Sequence, residues 1–289
     1  MFLCLAARGL GFERVMVPEV SADEAALVPG VEVVAVRDLR GAVSWYRGER
    51  DGWRIAESRA TGGGSGAGAA SGPQPGDSRS EGVPDISDVI GQPEAVQALA
   101  IAAAGRHHLS MVGPPGAGKT LLATRLTTIL PDLTPDESIV VSSVASLGGS
   151  PLTELVRRPP FESPHHTASK VSIIGGGDGS TVRPGAVTRA AHGVLFLDEA
   201  PEFPGAVLDA LRQPLESGVV EIHRARVRAV LPAQVQLVLA ANPCPCGNAE
   251  SLVETRPCRC TPITRIRYLG RISGPLNDRI DLQLSVRRV

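Results

Sequence analysis

Lysine is nearly absent from this 289-residue chain: of its 29 basic residues only Lys119 and Lys170 are Lys, and the rest are Arg. A GC-rich genome can produce such a bias, so it proves no function, but it makes the place of each Lys informative. Long hydrophobic runs are also missing. No apolar stretch approaches the roughly 20 residues of a membrane-spanning helix, and the opening MFLCLAARGL meets Arg8 too early for the core of a secretory signal. The expectation is a cytoplasmic protein with no membrane partner. A net charge of -1 excludes a globally basic nucleic-acid coat, although not a local basic patch. Cysteine is scarce, and four of the five (Cys244, Cys246, Cys258 and Cys260) fall within 17 residues. A disulfide-stapled secreted protein is usually shorter and spreads its cysteines more widely, so a local metal site is the sharper reading.

What is present is ordinary for a folded protein. Hydrophobic residues make up 43% and charged residues 20%, near the globular average, and the length allows about two domains. Residues 58–84 carry eight Gly, three Pro and five Ser with Val83 as the one large apolar side chain. Such a stretch cannot bury enough surface to offset its ordering entropy and reads as a flexible linker. It separates residues 1–57 from a body of residues 85–289. The small part reads as helix 3–9, strand 14–18, a short helix at 22–27, strand 32–36 and helix 39–46. The body alternates helical segments (92–104, 118–130) with continuous apolar runs (109–112, 194–197, 235–241) bounded by turn residues. That pattern predicts an α/β fold, a parallel sheet with helices on both faces.

Between the first apolar run and the second helix lies Gly113-Pro114-Pro115-Gly116-Ala117-Gly118-Lys119-Thr120, which fits G-x-x-x-x-G-K-[ST] in the strand-to-helix context the motif requires. Its glycines let successive backbone N–H groups face one concavity at the positive end of a helix, a cradle for a polyphosphate such as that of ATP. Lys119 would bridge the outer phosphates and Thr120 would coordinate Mg2+. The run at 194–197 ends in Asp198-Glu199. At the carboxyl end of a parallel strand this pair can serve Mg2+ (Asp198) and an attacking water (Glu199, as general base), while Asp198 could instead cap the following helix. Asn242 ends the next apolar run and could orient the same water, although Asn before Pro243 is also an ordinary turn. Arg279 offers a charge-stabilising guanidinium; a surface Arg paired with Asp278 or Asp281 fits the local sequence as well.

Residues 218–231 read as a hairpin in which Arg224, Arg226 and Arg228 recur with period 2 and share one face. A basic collar for a DNA backbone and a charge-protected edge strand both fit. No aromatic is interleaved there, so base stacking is not indicated. Residues 256–289 add eight Arg against two Asp. The two C-x-C pairs could complete a tetrahedral Zn2+ site, remain reduced buried thiols, or serve redox or another metal. Cys4 is most simply a core residue. His165 and His166 are adjacent on a loop, where the residues alone suit simple packing. Lys170 has no motif of its own and is expected to be exposed beside a mobile Gly-rich insertion at 175–179.

Taken together, the run IGQPEAVQALAIAAAGRHHLSMVGPPGAGKTLLA, then PFESPHHTAS, IIGGG, RPGAVTRAAHGVLFLDE, QPLESGVVEIHRARVRAVLPAQVQLVLAANPCPCG, CRC and RISGPLNDRIDL, resembles the YifB/ComM family of magnesium-chelatase-like AAA+ ATPases across residues 85–289. The resemblance implies a ring-forming motor, a homo-hexamer in its full-length form, with Asn242 as first sensor, Arg279 as a finger reaching a neighbouring subunit's ATP, and His165 and His166 in contact within the ring or with the nucleotide neighbourhood as the alternative to a packed loop. It further implies a helicase or translocase on single-stranded or branched DNA, in recombination or branch migration during natural transformation. A chelatase-type or protein-remodelling motor subunit and an inactive nucleotide-binding fragment are the alternatives. Residues 1–57 resemble the last part of a Lon-protease-like domain (ribosomal S5 domain 2-like) without its Ser-bearing portion. The helical lid expected after Arg279 lies beyond Val289, so the expectation is a chain truncated at both ends.

Overall fold

The computed structural model describes residues 1–57, 84–149, 152–178, 181–223, 228–249 and 257–288. Most of the expected linker lies outside them. The chain divides into two compact units, Met1–Glu81 with Ser138–Val156, and Gly82–Glu137 with Arg157–Val289.

The first unit contains α1 (Phe2–Gly9), β1 (Arg14–Pro18), α2 (Ala22–Ala25), β2 (Glu32–Val36), α3 (Leu39–Tyr46) and β3 (Trp53–Ile55). Strands β1 and β2 pair in parallel, and β3 adds antiparallel to β2. Asp38 starts α3 by accepting the Gly41 N–H at 2.9 Å, the usual service of an N-cap carboxylate. Cys4 packs into the core with Ala22, Ala25, Val28, Val33 and Ala35, as its isolation in the sequence suggests. The three-residue β3 has no apolar alternation to announce it.

The second unit opens with α4 (Pro93–Gly105), β4 (Leu109–Val112), α5 (Lys119–Ile129) and the start of α6 (Pro135–Leu147). Next come β5 (Phe161–Glu162), α7 (Lys170–Ile174), a hairpin of β6 (Gly175–Asp178) and β7 (Thr181–Pro184), α8 (Ala186–Arg189) and β8 (Val194–Leu197). Helices α9 (Gly205–Ala210) and α10 (Arg212–Ser217) lead into a second hairpin, β9 (Val219–His223) with β10 (Arg228–Pro232). The unit ends with β11 (Gln236–Ala241), α11 (Pro262–Leu269), α12 (Gly274–Asn277) and β12 (Leu282–Ser285).

Five strands form one sheet in the order β12-β4-β11-β8-β5, and every pairing in it is parallel. Alternate residues of its central strands feed two cores. Val194, Phe196, Val238 and Ala240 pack with α4 and α5; Leu195, Leu197, Leu237 and Leu239 pack with residues of α7 to α10. Period-2 alternation with both faces covered explains why β8 and β11 read as unbroken apolar runs. Truncating a fully buried Leu such as Leu195 to Ala is worth about 2–5 kcal/mol in such a core. The Gly-rich insertion expected to be mobile includes strand β6, paired with β7. A Cβ on Gly185 would collide with the Gly175 N and Ile173 O, so glycine here serves close backbone approach. Lys170 is exposed at the start of α7, as expected. Among the described residues no helix is long and apolar enough to cross a membrane.

Candidate nucleotide site

The sheet order places the carboxyl ends of β4, β11 and β8 side by side, the edge at which parallel α/β sheets bind ligands. The chain from β4 turns through Gly113–Thr120 into α5 there, beside Asp198 and Glu199 after β8 and Asn242 after β11. Gly113 N–H donates to the Ala241 carbonyl at 3.1 Å, tying the first strand end to the second. Gly116 (φ +76°) and Gly118 (φ +87°) adopt left-handed conformations, which only glycine takes without cost. A Cβ on Gly113 would meet the Val286 carbonyl.

These residues surround a cavity of about 350 Å3 lined by Pro115–Thr120, Asp198, Glu199, Ala241 and Asn242. Lys119 is 8% exposed, and its ammonium donates to the Gly113 carbonyl at 2.7 Å, the Pro114 carbonyl at 3.1 Å and Asn242 Oδ1 at 3.2 Å. Burial holds its pKa below the ordinary lysine value, opposed by the charges of Asp198 and Glu199. Thr120 Oγ1 donates to Asp198 Oδ2 at 2.9 Å. A hydroxyl and a carboxylate in contact beside a buried ammonium are a donor set suited to Mg2+ and phosphate together. The expected ATP and Mg2+ therefore fit the residues present, and Asp198 adjoins Thr120 as a shared metal site requires.

Glu199 has φ +52°, a left-handed conformation that costs a non-glycine residue of order 1–3 kcal/mol and clusters at functional sites. Its N–H donates to Asp198 Oδ1 at 2.9 Å. Its carboxylate lies 3.4 Å, Oε2 to Nδ1, from His166, whose ring stacks at a tilt on His165 with centroids 4.1 Å apart.

Other residues at the site carry no motif. Gln92 Nε2 donates to the Ala117 carbonyl at 2.9 Å, and Arg288 donates twice to the Pro115 carbonyl, at 3.0 and 2.6 Å, so the loop is braced from both ends of the second unit. Tyr268 of α11 is buried, and desolvation, then the carboxylates of Glu202 and Glu199, push its phenol up to about 12. Only distance in sequence hides these residues; each becomes legible once the sheet order is known.

Arg279 lies apart from the cavity lining. It is held by Glu216 Oε2 at 2.8 Å and the Pro275 carbonyl at 2.9 Å, rather than by the Asp278 or Asp281 that local sequence suggests. Asp281 instead accepts the His108 N–H at 2.7 Å. Arg228 is exposed on β10, opposite His223; Arg224 and Arg226 lie outside the described residues. Glu221 shares the exposed face, paired with His223 at 3.0 Å, and so tempers its positive charge.

Cys244, Cys246, Cys258 and Cys260 converge, with their four Sγ atoms all within 4.8 Å of one another. Burial first, then its sulfur neighbours, pushes the Cys244 thiol up to about 11, while the Asn248 backbone first draws that of Cys246 down to about 6.

The fold and its loop define an α/β protein with a P-loop nucleotide site. Residues 85–289 match the family model described as magnesium chelatase, subunit ChlI, and the chain belongs to that family, as a YifB/ComM-type magnesium-chelatase-like member. An uncharacterized protein of Mycobacterium tuberculosis is 44% identical over 287 residues, covering 99% of this chain and 53% of that protein. Competence protein ComM of Haemophilus influenzae is 49% identical over 203 residues, covering 70% of this chain and 39% of that protein. YifB of Escherichia coli is 46% identical over the same length, with the same coverage. The chain thus spans about half the length, or less, of these curated relatives.

Proposed function

We propose that this chain carries the ATP-binding and ATP-hydrolysing core of an AAA+ motor that acts on DNA. The observation that supports it most is the convergence of Lys119, Thr120, Asp198, Glu199 and Asn242 on one cavity. The P-loop amides and Lys119 hold the polyphosphate, while Thr120 and Asp198 hold Mg2+. Bound Mg2+ neutralises charge on the phosphates. Glu199 takes the proton of the attacking water, with its carboxylate aimed by the left-handed backbone and His166. Asn242, already hydrogen-bonded to Lys119, positions that water. Arg279 releases Glu216 to meet the ATP of a neighbouring subunit in a homo-hexameric ring.

DNA as the partner is supported by the exposed Arg228 beside Arg224 and Arg226 in sequence, and by the relative named for competence. Single-stranded or branched DNA in a recombination or branch-migration step is the substrate class. The four cysteines form a structural Zn2+ site.

The test is phosphate release by the protein with no DNA, single-stranded DNA and a four-way junction, at low and high salt. Stimulation by DNA that fades with salt is the expected result. Turnover indifferent to DNA would favour a motor that acts on a protein partner, and no turnover would reduce the chain to a nucleotide-binding fragment.

A further inference from the structure

The cysteine cluster sits against the nucleotide loop. Cys244 is fully buried two residues beyond Asn242, which accepts the Lys119 ammonium. The turn that follows closes through the Gly247 N–H on the Cys244 carbonyl at 2.9 Å. That turn lays the Gly247 backbone on the ring of Pro115: a Cβ at Gly247 would stand 2.6 Å from both Pro115 Cγ and Cδ, and Gly247 has φ +76°. Arg288 grips the carbonyl of the same Pro115. Three Sγ separations, 3.3 Å for Cys244–Cys246, 3.7 Å for Cys244–Cys258 and 3.6 Å for Cys246–Cys258, approach the edge of about 3.8 Å that follows from Zn–S bonds of about 2.3 Å in a tetrahedron. The second pair, Cys258 and Cys260, immediately precedes α11, whose N-terminus Thr261 caps by accepting the Thr264 N–H at 3.3 Å.

We propose that the four-thiolate centre is a zinc clamp on the nucleotide site: by fixing the 243–247 turn it seats Gly247 on Pro115, and metal occupancy thereby sets nucleotide affinity. The proposal rests on the cysteines binding zinc and on the loop binding nucleotide, and adds the coupling between them. With the metal gone, the turn is no longer tied to residues 258–260, Pro115 loses its apolar support, and the loop spends part of its time with its amides misaligned. Pre-organisation of this kind raises affinity by removing an ordering cost from binding.

Zinc content by elemental analysis, the dissociation constant for a fluorescent ADP analogue and far-UV circular dichroism are measured on four samples: the protein as purified, the protein stripped by a chelator and then re-supplied with Zn2+, Cys258→Ser, and Gly247→Ala. The expected results are about one zinc per chain, an affinity about tenfold weaker after stripping and restored by Zn2+, and the same loss in Cys258→Ser. Gly247→Ala keeps all four ligands, so it is expected to retain zinc yet bind the nucleotide about tenfold less tightly. Its zinc retention also guards against a variant that merely fails to fold. Absence of zinc in the freshly purified protein would overturn the site and the coupling with it. Zinc that is present but whose removal leaves affinity unchanged would overturn the coupling alone, as would full affinity in Gly247→Ala. A zinc-loaded protein that binds no nucleotide would overturn the nucleotide reading and the coupling together.

Discussion

His166 Nδ1 lies 3.4 Å from Glu199 Oε2, so the residue placed as general base is touched by a side chain from a loop 33 positions earlier in the chain. With the left-handed backbone at Glu199, this contact fixes where the carboxylate points. His166→Ala is expected to lower kcat for ATP by about tenfold or more, the scale of a mispositioned general base, with little change in nucleotide affinity. Steady-state phosphate release beside equilibrium binding checks the split. A proportionate loss of binding would mean that His166 supports the cavity rather than the base.

Asn242 Oδ1 accepts the Lys119 ammonium at 3.2 Å. Asn242→Ala should reduce turnover more than binding, because Lys119 keeps two backbone carbonyl partners. The same pair of measurements decides it. Glu199→Gln should go further, retaining ATP while abolishing turnover.

The Arg hairpin makes a prediction about salt. Removing one Arg–phosphate interaction lowers the slope of log affinity against log salt by about 0.7 on single-stranded DNA. Replacing Arg224, Arg226 and Arg228 together by Ser should therefore weaken DNA binding and flatten that slope by about 2, with ATP binding intact. Binding measured by fluorescence anisotropy across a salt series checks it; an unchanged slope would place the DNA-binding surface elsewhere.

Acid stability follows from His108. Its Nδ1 accepts the Leu237 N–H at 3.0 Å, and burial first of all holds its pKa below the ordinary 6.5, partly offset by Asp281. Above 6.5 the ring is neutral whether folded or unfolded, and the hydrogen bond is fully available. As pH falls from there through the lowered folded value, the unfolded chain binds the proton first and stability is lost. His192 is lowered by burial as well and acts in the same direction. The thermal midpoint should thus fall as the pH is lowered from about 7.5 to about 5. The drop should be smaller in His108→Gln.

Much of this site is written locally. Leu109–Val112, the glycines and Lys119 announce a strand, a turn and a helix in consecutive residues, and β8 and β11 announce themselves by apolar runs that two cores demand. Edge strands are harder. β5 is two residues long, β12 alternates half-buried with exposed positions, and β6 is three glycines and an Asp; none carries enough apolar signal to be recognised alone. The partner of Arg279 is illegible for a different reason: Glu216 is 63 residues away, and nothing nearby in sequence distinguishes it from Asp278 or Asp281. His166, Gln92 and Arg288 reach the site through the order of strands in the sheet, which periodicity does not specify. The cysteines are intermediate, since their spacing suggests convergence and the fold supplies the neighbour, Pro115, that gives the convergence a consequence.

The most direct measurement of the nucleotide site is equilibrium ATP binding in the presence of Mg2+ by the wild-type protein and by Lys119→Ala. One saturable site per chain is expected, weakened at least about tenfold when the buried ammonium is removed, as follows from loss of a charge-assisted hydrogen bond to phosphate. Absence of binding by the wild-type protein, or equal affinity in the two, would contradict the assignment of this cavity to ATP.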